Sequence, residues 1–519
     1  MEVDQADKVV IDQVSRNVTI YFQETVDLRT VNITSVAFDS DVATPSIPVV
    51  GVHDLSSPLK FNVRTYSDYQ WTITAVRAMN LYFNVLGQVG ASVIDDVNHR
   101  AVATVGKGAD ITDVTVTSLK LGPEGLTTYS RPYEEMKDFT DGLTVDVTAF
   151  DVTDTWTLFV EVSDVAVEIK KVDPWAKEVY VTSAGVDGMD NGIRYRLSGA
   201  DEWITVDKSD ITSDGGTFVA HIKGLKPTTA YEVIAYSGTD QSDIFEFETE
   251  AERKLPNGGF EYASKVTGAD YYKFYDPACG VEEGMNMFWG SGNGEGPDGV
   301  NGSAGLGIVI TYIDTNDKVE GNQSVLAQTS QMVGMLAAGN LFTGQFDGLV
   351  GTSGGKVNFG RPWDTRPKAL KLYCKYSTGT MDIINGAPQG VSLTKEDYDR
   401  AQIKVALGTW SHRDYGGTPD SPVHVNTTDA KTFVDFTTDP NTIADGNLII
   451  HNDGYIMNGE EKVSVNTGEW LEYVIPLDYH TMGEKPTHII ISCAASQFGD
   501  YFSGCSRSKL WLDAMELIY

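Results

Sequence analysis

One stretch of this chain occurs twice, and that repeat limits what the first third can fold into. Val10 to Phe38, VIDQVSRNVTIYFQETVDLRTVNITSVAF, aligns without gaps on Val93 to Leu121, VIDDVNHRAVATVGKGADITDVTVTSLKL. Val10, Ile11, Asp12 and Val14 return as Val93, Ile94, Asp95 and Val97, while Asp27, Val31, Thr34 and Ser35 return as Asp110, Val114, Thr117 and Ser118. The apolar alternation slips at the same place in both copies. Val31 and Ile33 give way to Val36 and Phe38, and Val114 and Val116 to Leu119 and Leu121. A period of two marks a strand with one face on a core, and a shared slip is what one extra residue in that strand leaves behind. Each copy closes on another alternating run, LKFNVRTYSDYQWTI with Trp71 and LTVDVTAFDVTDTWTL with Trp156. Two copies of one small Ig-like sandwich, over 1–78 and 79–170, are the simplest account. Trp71 and Trp156, single aromatics at matching places, are expected to pack in the two cores.

From Lys171 the rhythm changes. Val179/Val181, Ile193/Tyr195/Leu197, Phe218/Ala220/Ile222 and Tyr231/Val233/Ala235 read as strands separated by turns such as DGMDNG. GLKPTTAYEVIAYSG resembles the fibronectin type III signature, in which a Leu and a Pro precede a corner Tyr, here Leu225, Pro227 and Tyr231. That resemblance implies a spacer over 171–250. AERKLP is a polar joint ending in Pro, and 251–519 is too long for another small sandwich. Its strand patterns (GLGIVITYI, KALKLYCKY, AQIKVAL, EWLEYVIPL, THIIISC) predict one large two-sheet domain. LTKEDYDR, Leu393 to Arg400, is the one segment expected to be helical, with Thr394 as its cap. The expected class is all-β: tandem small sandwiches followed by a large jelly roll.

The formal charge of −34 repels nucleic acid and anionic membrane, both of which need basic patches. It suits a neutral, polar partner. No apolar run reaches the ~20 residues of a membrane helix. MEVDQADK is charged from its second residue, so it is not a secretory signal, and any leader is expected to have been removed. Four Cys make neither a disulfide scaffold nor a zinc site. Cys493 and Cys505 flank the last hairpin, where either a bridge worth ~3 kcal/mol or two buried thiols fits the spacing. Cys374 alternates into a strand as core.

NGGFE, VEGNQSVLAQT and the closing LWLDAMELIY resemble the first, second and last strands of galactose-binding-like jelly rolls. AAGNLFTGQF, RPWDTRPKALKLYCKYSTG and SQFGDYFSG followed by KLWLDAMELIY are similar to the putative carbohydrate metabolism domain, across nearly all of 255–519. That resemblance implies an outer-membrane lipoprotein of Bacteroidetes from a polysaccharide-utilisation locus, tethered by a lipid and working with transporters of the same locus. The jelly-roll likeness also implies a structural calcium between Glu261 and Asp513, with Glu320 nearby. Family members usually carry small residues where Cys493 and Cys505 stand, a departure that favours the bridge.

Sugar rings offer apolar C–H faces to aromatic side chains and hydroxyls to planar polar groups. Trp289 and Asn293 lie in a glycine-rich run, MFWGSGNGEGPDG, with few neighbours to bury them. Tyr271 and Tyr272 in DYYKFY, Arg361 and Trp363 in RPWDTRP, and Trp410 with His412 in GTWSHRDY are similar candidates; Trp363 serves equally well as a structural plug. The glycine run lacks the GK[ST] of a phosphate loop. Glycosidases need two carboxylates at a set separation, and Glu282, Glu283, Asp298 and Asp500 are unranked candidates. There is no GxSxG or HExxH motif. The expectation is a cell-surface glycan-binding protein that holds polysaccharide or oligosaccharide by aromatic stacking. A glycoside hydrolase or lyase on the same jelly roll is the first alternative, and a structural or adhesive subunit the second.

Overall fold

In a computed structural model of the chain, the described residues are 1–13, 15–38, 40, 42–266, 271–277, 288–294, 301–332, 334–351, 354–451, 463–466 and 468–519. The protein is all-β. Its one α-helical turn among the described residues is His412–Tyr415. No helix among them is long and apolar enough to cross a membrane. Two compact units form: 1–172 with 179–222 and 230–247, and 173–178 with 223–229 and 248–519.

The first unit opens with the repeat. The strands Ala6–Asp12, Asn17–Phe22, Asp68–Arg77, Leu59–Arg64 and Thr44–Pro45 form one sheet in that order; Val93–Asp95, Arg100–Val105, Val152–Val162, Leu143–Ala149 and Thr128–Tyr129 form its counterpart. In both sheets the second and third strands run parallel, with Asn17 opposite Thr72 and Arg100 opposite Thr157. The slip in alternation has a matching cause. Pairing jumps from Ile33 to Ser35 in one copy and from Val116 to Ser118 in the other, leaving Thr34 and its counterpart Thr117 as the bulged residues. Trp156 is buried in its core and Trp71 packs on the edge of the other. Further on, Tyr231 is buried and its ring stacks 5.7 Å from Phe247.

The second unit is a jelly-roll-type sandwich. A ten-stranded sheet carries Asn340–Val350, His488–Ala494, Ala401–Gly408 and Thr442–His451 side by side at its centre. Facing it is a five-stranded sheet in the order Thr311–Asp314, Ser324–Gln328, Lys509–Ile518, Ala369–Ser377, Leu471–Pro476. Val325, Leu512 and Cys374 from the smaller sheet meet Leu341, Ile403, Val405 and Ile491 from the larger in one core. Beneath this core sits a buried ion cluster. Arg366 donates to Glu250 at 3.0 Å, to Asp173 at 2.9 Å and to the Pro174 carbonyl at 2.8 Å, and its guanidinium lies 4.5 Å from the centroid of the Trp175 ring.

Two expectations are corrected. Leu393 to Arg400 is a turn: the Thr394 hydroxyl accepts the Glu396 N–H as a cap would, but Thr394 N–H and Oγ1 both donate to Asp397, and no helix follows. Eight residues with one weak apolar face cannot offset the cost of helix nucleation. Cys493 and Cys505 are buried free thiols, as is Cys374. Cys493 points into the core between the sheets, and burial pushes its thiol well up.

The last hairpin is instead held by Asp399. This fully buried carboxylate accepts from Ser496 Oγ at 2.6 Å, Ser508 Oγ at 2.7 Å, Cys505 N–H at 2.8 Å and Arg400 N–H at 2.8 Å. Desolvation outweighs those donors and raises its pKa to about 6. A carboxyl raised on folding stabilises fully below its unfolded pKa, near 4, and loses that contribution as pH rises through 6, by about 3 kcal/mol. Asp399→Asn therefore gains on the wild type by about 2 kcal/mol between pH 4 and pH 7. Urea unfolding of both proteins across that range checks this, and parallel stability curves would refute it.

Candidate functional site

The side chains expected to stack on sugar are mostly inside the sandwich, which corrects that assignment. Trp289, Asn293, Arg361, Trp363, Trp410 and Tyr271 are all at most 4% exposed. Tyr272 is half-buried on the short strand Tyr272–Phe274. The indole N–H of Trp289 donates to the Pro256 carbonyl at 2.9 Å, and its ring packs on Phe260 and Phe288. Trp363 belongs to the same core, with the Arg253 guanidinium 4.2 Å from its ring centroid. Trp410 packs on Phe436 and donates to Asp439 at 2.9 Å. Arg361 donates to the carbonyls of Phe288 and Gly344 and to Ser421 Oγ; Asn293 bonds the backbone of Ile310 and Thr311. Glycine in the Trp289 run serves close approach, since a Cβ on Gly292 would lie 2.9 Å from Ile310. Glu282, Glu283 and Asp298 lie outside the described residues.

The two carboxylates expected to bridge a calcium, Glu261 and Asp513, are met by N–H donors. Asp513 Oδ2 accepts the N–H groups of Val319 and Glu320, and its Oδ1 that of Ala514. Both oxygens of Glu261 accept the Asn322 N–H, Oε2 also takes the Asn322 amide, and Oε1 also takes the Gln323 N–H. Burial pushes the Asp513 carboxyl up, with Glu261 adding to the shift. Among the described residues there is no cluster of three or more His, Cys, Asp or Glu suited to a metal. The pair fastens the 319–323 turn.

The larger sheet does open a polar strip to solvent. Its pairing sets Leu341, Cys493, Ile403 and Leu448 in a row on the core side. The next row, Phe342, Ser492, Lys404 and Asn447, faces outward, as does Ala494–Gln402–Ile449 beyond it. At one end of this face Trp410, Val423 and Phe433 cover Ile490 and Ala406; at the other Phe498 packs with Met381. The Phe433 ring, from the first of these coverings, stands edge to face with Tyr501 at 5.5 Å. Between the two coverings Ser492, Lys404 and Gln402 are half-buried and Asn447 is exposed, with the Gln402 amide donating to Asn447 at 2.9 Å.

Asp500 borders this strip. Solvent reaches it, yet protein surrounds it closely enough that desolvation raises its carboxyl above the usual range, an effect Lys404 partly offsets. On the same side Asp445 binds His480 at 2.7 Å. The strip thus offers a hydroxyl, two amides, an ammonium, a carboxylate and an aromatic edge, the groups that hydrogen-bond and pack against a polyhydroxylated ring. A separate hollow of about 460 Å³, lined by Glu250, Ala251, Arg253, Asp364, Thr365 and Lys485, is bounded by the ion pairs Arg253–Asp364 and Lys485–Glu250. The alternation in AQIKVAL already turns Lys404 away from Ile403 and Val405. Its neighbours Ser492 and Asn447 come from strands far along the chain, so no local pattern reveals them.

Fold and site together define an all-β protein whose largest domain is a two-sheet sandwich with a polar strip on one face. The chain belongs to the family called putative carbohydrate metabolism domain, whose profile matches residues 259–518. No curated protein sequence matches it. Among solved structures, a putative glycoside hydrolase from Bacteroides thetaiotaomicron is 18% identical, covering 85% of this chain and 98% of that one, at a TM-score of 0.30. Another from Bacteroides vulgatus is 22% identical over 51% of this chain and 98% of that one, with a TM-score of 0.34. A surface glycan-binding protein from Prevotella bryantii is 9% identical over 72% and 81%, with a TM-score of 0.21.

Proposed function

We propose that this is a cell-surface glycan-binding protein of a polysaccharide-utilisation system, holding its ligand in the strip around Lys404. The observation that carries this reading is the outward row Ser492–Lys404–Asn447, left open at the centre of a sheet whose flanks are covered. Membership of a carbohydrate-related family supports it. Stacking passes from the buried tryptophans to the Phe433–Tyr501 edge, with the amides of Gln402 and Asn447 as hydrogen-bonding partners. The smaller β modules serve as spacers, and a lipid on a removed leader would supply the anchor to the outer membrane, beside transporters of the same locus.

Affinity electrophoresis of the full chain against a polysaccharide panel tests the proposal. Asn447→Ala and Tyr501→Ala should each weaken retention by roughly tenfold, the effect of one lost contact of ~1.4 kcal/mol. Unchanged retention in both variants, or none in the wild type, would refute it. A second reading is hydrolysis, with Asp500, which lies near Lys404, as the carboxylate to test. Reducing ends released by the wild type and absent in Asp500→Asn would establish it.

A further inference from the structure

The smaller sheet turns an aromatic surface to solvent on the opposite side of the sandwich. Its pairing sets Tyr312 beside Leu326, Leu326 beside Trp511, and Trp511 beside Lys375. On the far edge Cys374 stands opposite Leu471, and the same register carried one residue on brings Trp470 beside Lys375. The rows on either side of this one, Ala327–Leu510–Tyr376 and Val325–Leu512–Cys374, lie in the core or against it, so the row Tyr312–Leu326–Trp511–Lys375–Trp470 faces out. All five residues are half-buried. Adjacent strands lie ~4.8 Å apart, which sets Trp511 and Trp470 ~10 Å apart across the sheet.

Both indoles are fixed by their polar edges. Trp511 Nε1 donates to Asp314 at 3.0 Å and Trp470 Nε1 to Asp317 at 2.7 Å. Asp317 also receives the Lys375 ammonium at 2.5 Å, and that ammonium lies 4.8 Å from the Trp511 centroid. Lys375 draws the Asp317 carboxyl below its ordinary range, and the Trp470 indole adds to the effect. The cation within the row is therefore neutralised by the turn beside it, although the chain as a whole carries −34. Flat groups already locked in place lose little further freedom when a ligand arrives. A charged ligand would have to compete with these pairs. An uncharged one, with apolar ring faces and hydroxyls at the rim, can use indoles and carboxylates together.

We infer that the row Tyr312–Leu326–Trp511–Lys375–Trp470 is a second carbohydrate-contact surface, taking an uncharged, extended glycan laid across the strands. Two rings of that chain stack on Trp511 and Trp470, whose separation is comparable to the length of a disaccharide unit. The inference rests on the reading of this protein as a glycan binder, but it uses the other sheet and none of the residues around Lys404.

The test uses the full chain with cello-, xylo- and manno-oligosaccharides and their parent polysaccharides, with polygalacturonate as the charged comparator. Trp511→Ala and Trp470→Ala should each weaken binding of the uncharged ligand by about tenfold. Trp511→Phe and Trp470→Phe, which keep a stacking ring, should retain most of it. Bound glycan should protect the wild type from acrylamide quenching of tryptophan fluorescence, a readout that needs no variant. Wild-type affinity and stoichiometry in both Ala variants, absence of protection, or preference for polygalacturonate would overturn the inference. Loss confined to the Asn447 and Tyr501 variants overturns it alone, and a wild type that retains no glycan overturns it together with the reading it rests on.

Discussion

Trp289→Ala should lower the stability of the large sandwich by about 3–5 kcal/mol, the usual cost of truncating a buried tryptophan, while leaving the glycan affinity of the folded molecules unchanged. The residue is 2% exposed and its ring is packed between Phe260, tilted to it, and Phe288, edge-on to it, so its removal opens a void that those rings can only partly fill. The Pro256 carbonyl also loses its donor. Urea unfolding gives the first quantity, and affinity electrophoresis at a temperature where the variant is folded gives the second. A variant that is as stable as the wild type but retains no glycan would return Trp289 to the binding site.

Arg366→Met should cost a similar amount, about 3–5 kcal/mol, because it strands two carboxylates away from water. Glu250 and Asp173 lose the guanidinium that neutralises them; Glu250 keeps the backbone N–H of residue 366 at 3.1 Å and the Lys485 ammonium at 3.2 Å, and Asp173 keeps the Trp175 indole at 3.3 Å. The penalty belongs to the unpaired carboxylates more than to the missing arginine. Adding Glu250→Gln to Arg366→Met should therefore recover part of the loss, and a thermodynamic cycle over the two sites measures how much. Strict additivity would show that the two side chains do not depend on each other.

How much of this the sequence displays depends on how far each contact reaches along the chain. Strand parity is local, so KALKLYCKY, AQIKVAL and THIIISC each became a strand, Cys374 turned into the core as expected, and the repeat showed its bulge as a slip in alternation. The same parity turns Trp511 away from Leu510 and Leu512 in KLWLDAM, a signal sufficient to find it as an outward aromatic. Burial of Trp289 and Trp410 could not be read this way. Each is covered by segments remote in sequence, and glycines that suggest exposure in a string of letters instead allow backbones to touch. Asp399 gives no local sign either, since Ser496, Cys505 and Ser508 reach it only after the last hairpin has folded back. Thr394 illustrates the opposite error: a sound local cap signal with no helix behind it.

The strand Lys509–Ile518 lies between Ser324–Gln328 and Ala369–Ser377, although both neighbours are made far earlier in synthesis. Until it arrives, each of those two strands presents an unsatisfied edge to any other chain emerging nearby. Contacts between such distant segments form slowly, and the waiting intermediate is the species most prone to clump. Recovery of correctly assembled protein should thus be governed by how crowded nascent chains are during the wait, and slower production at low temperature should raise the yield more than any adjustment made after folding is complete.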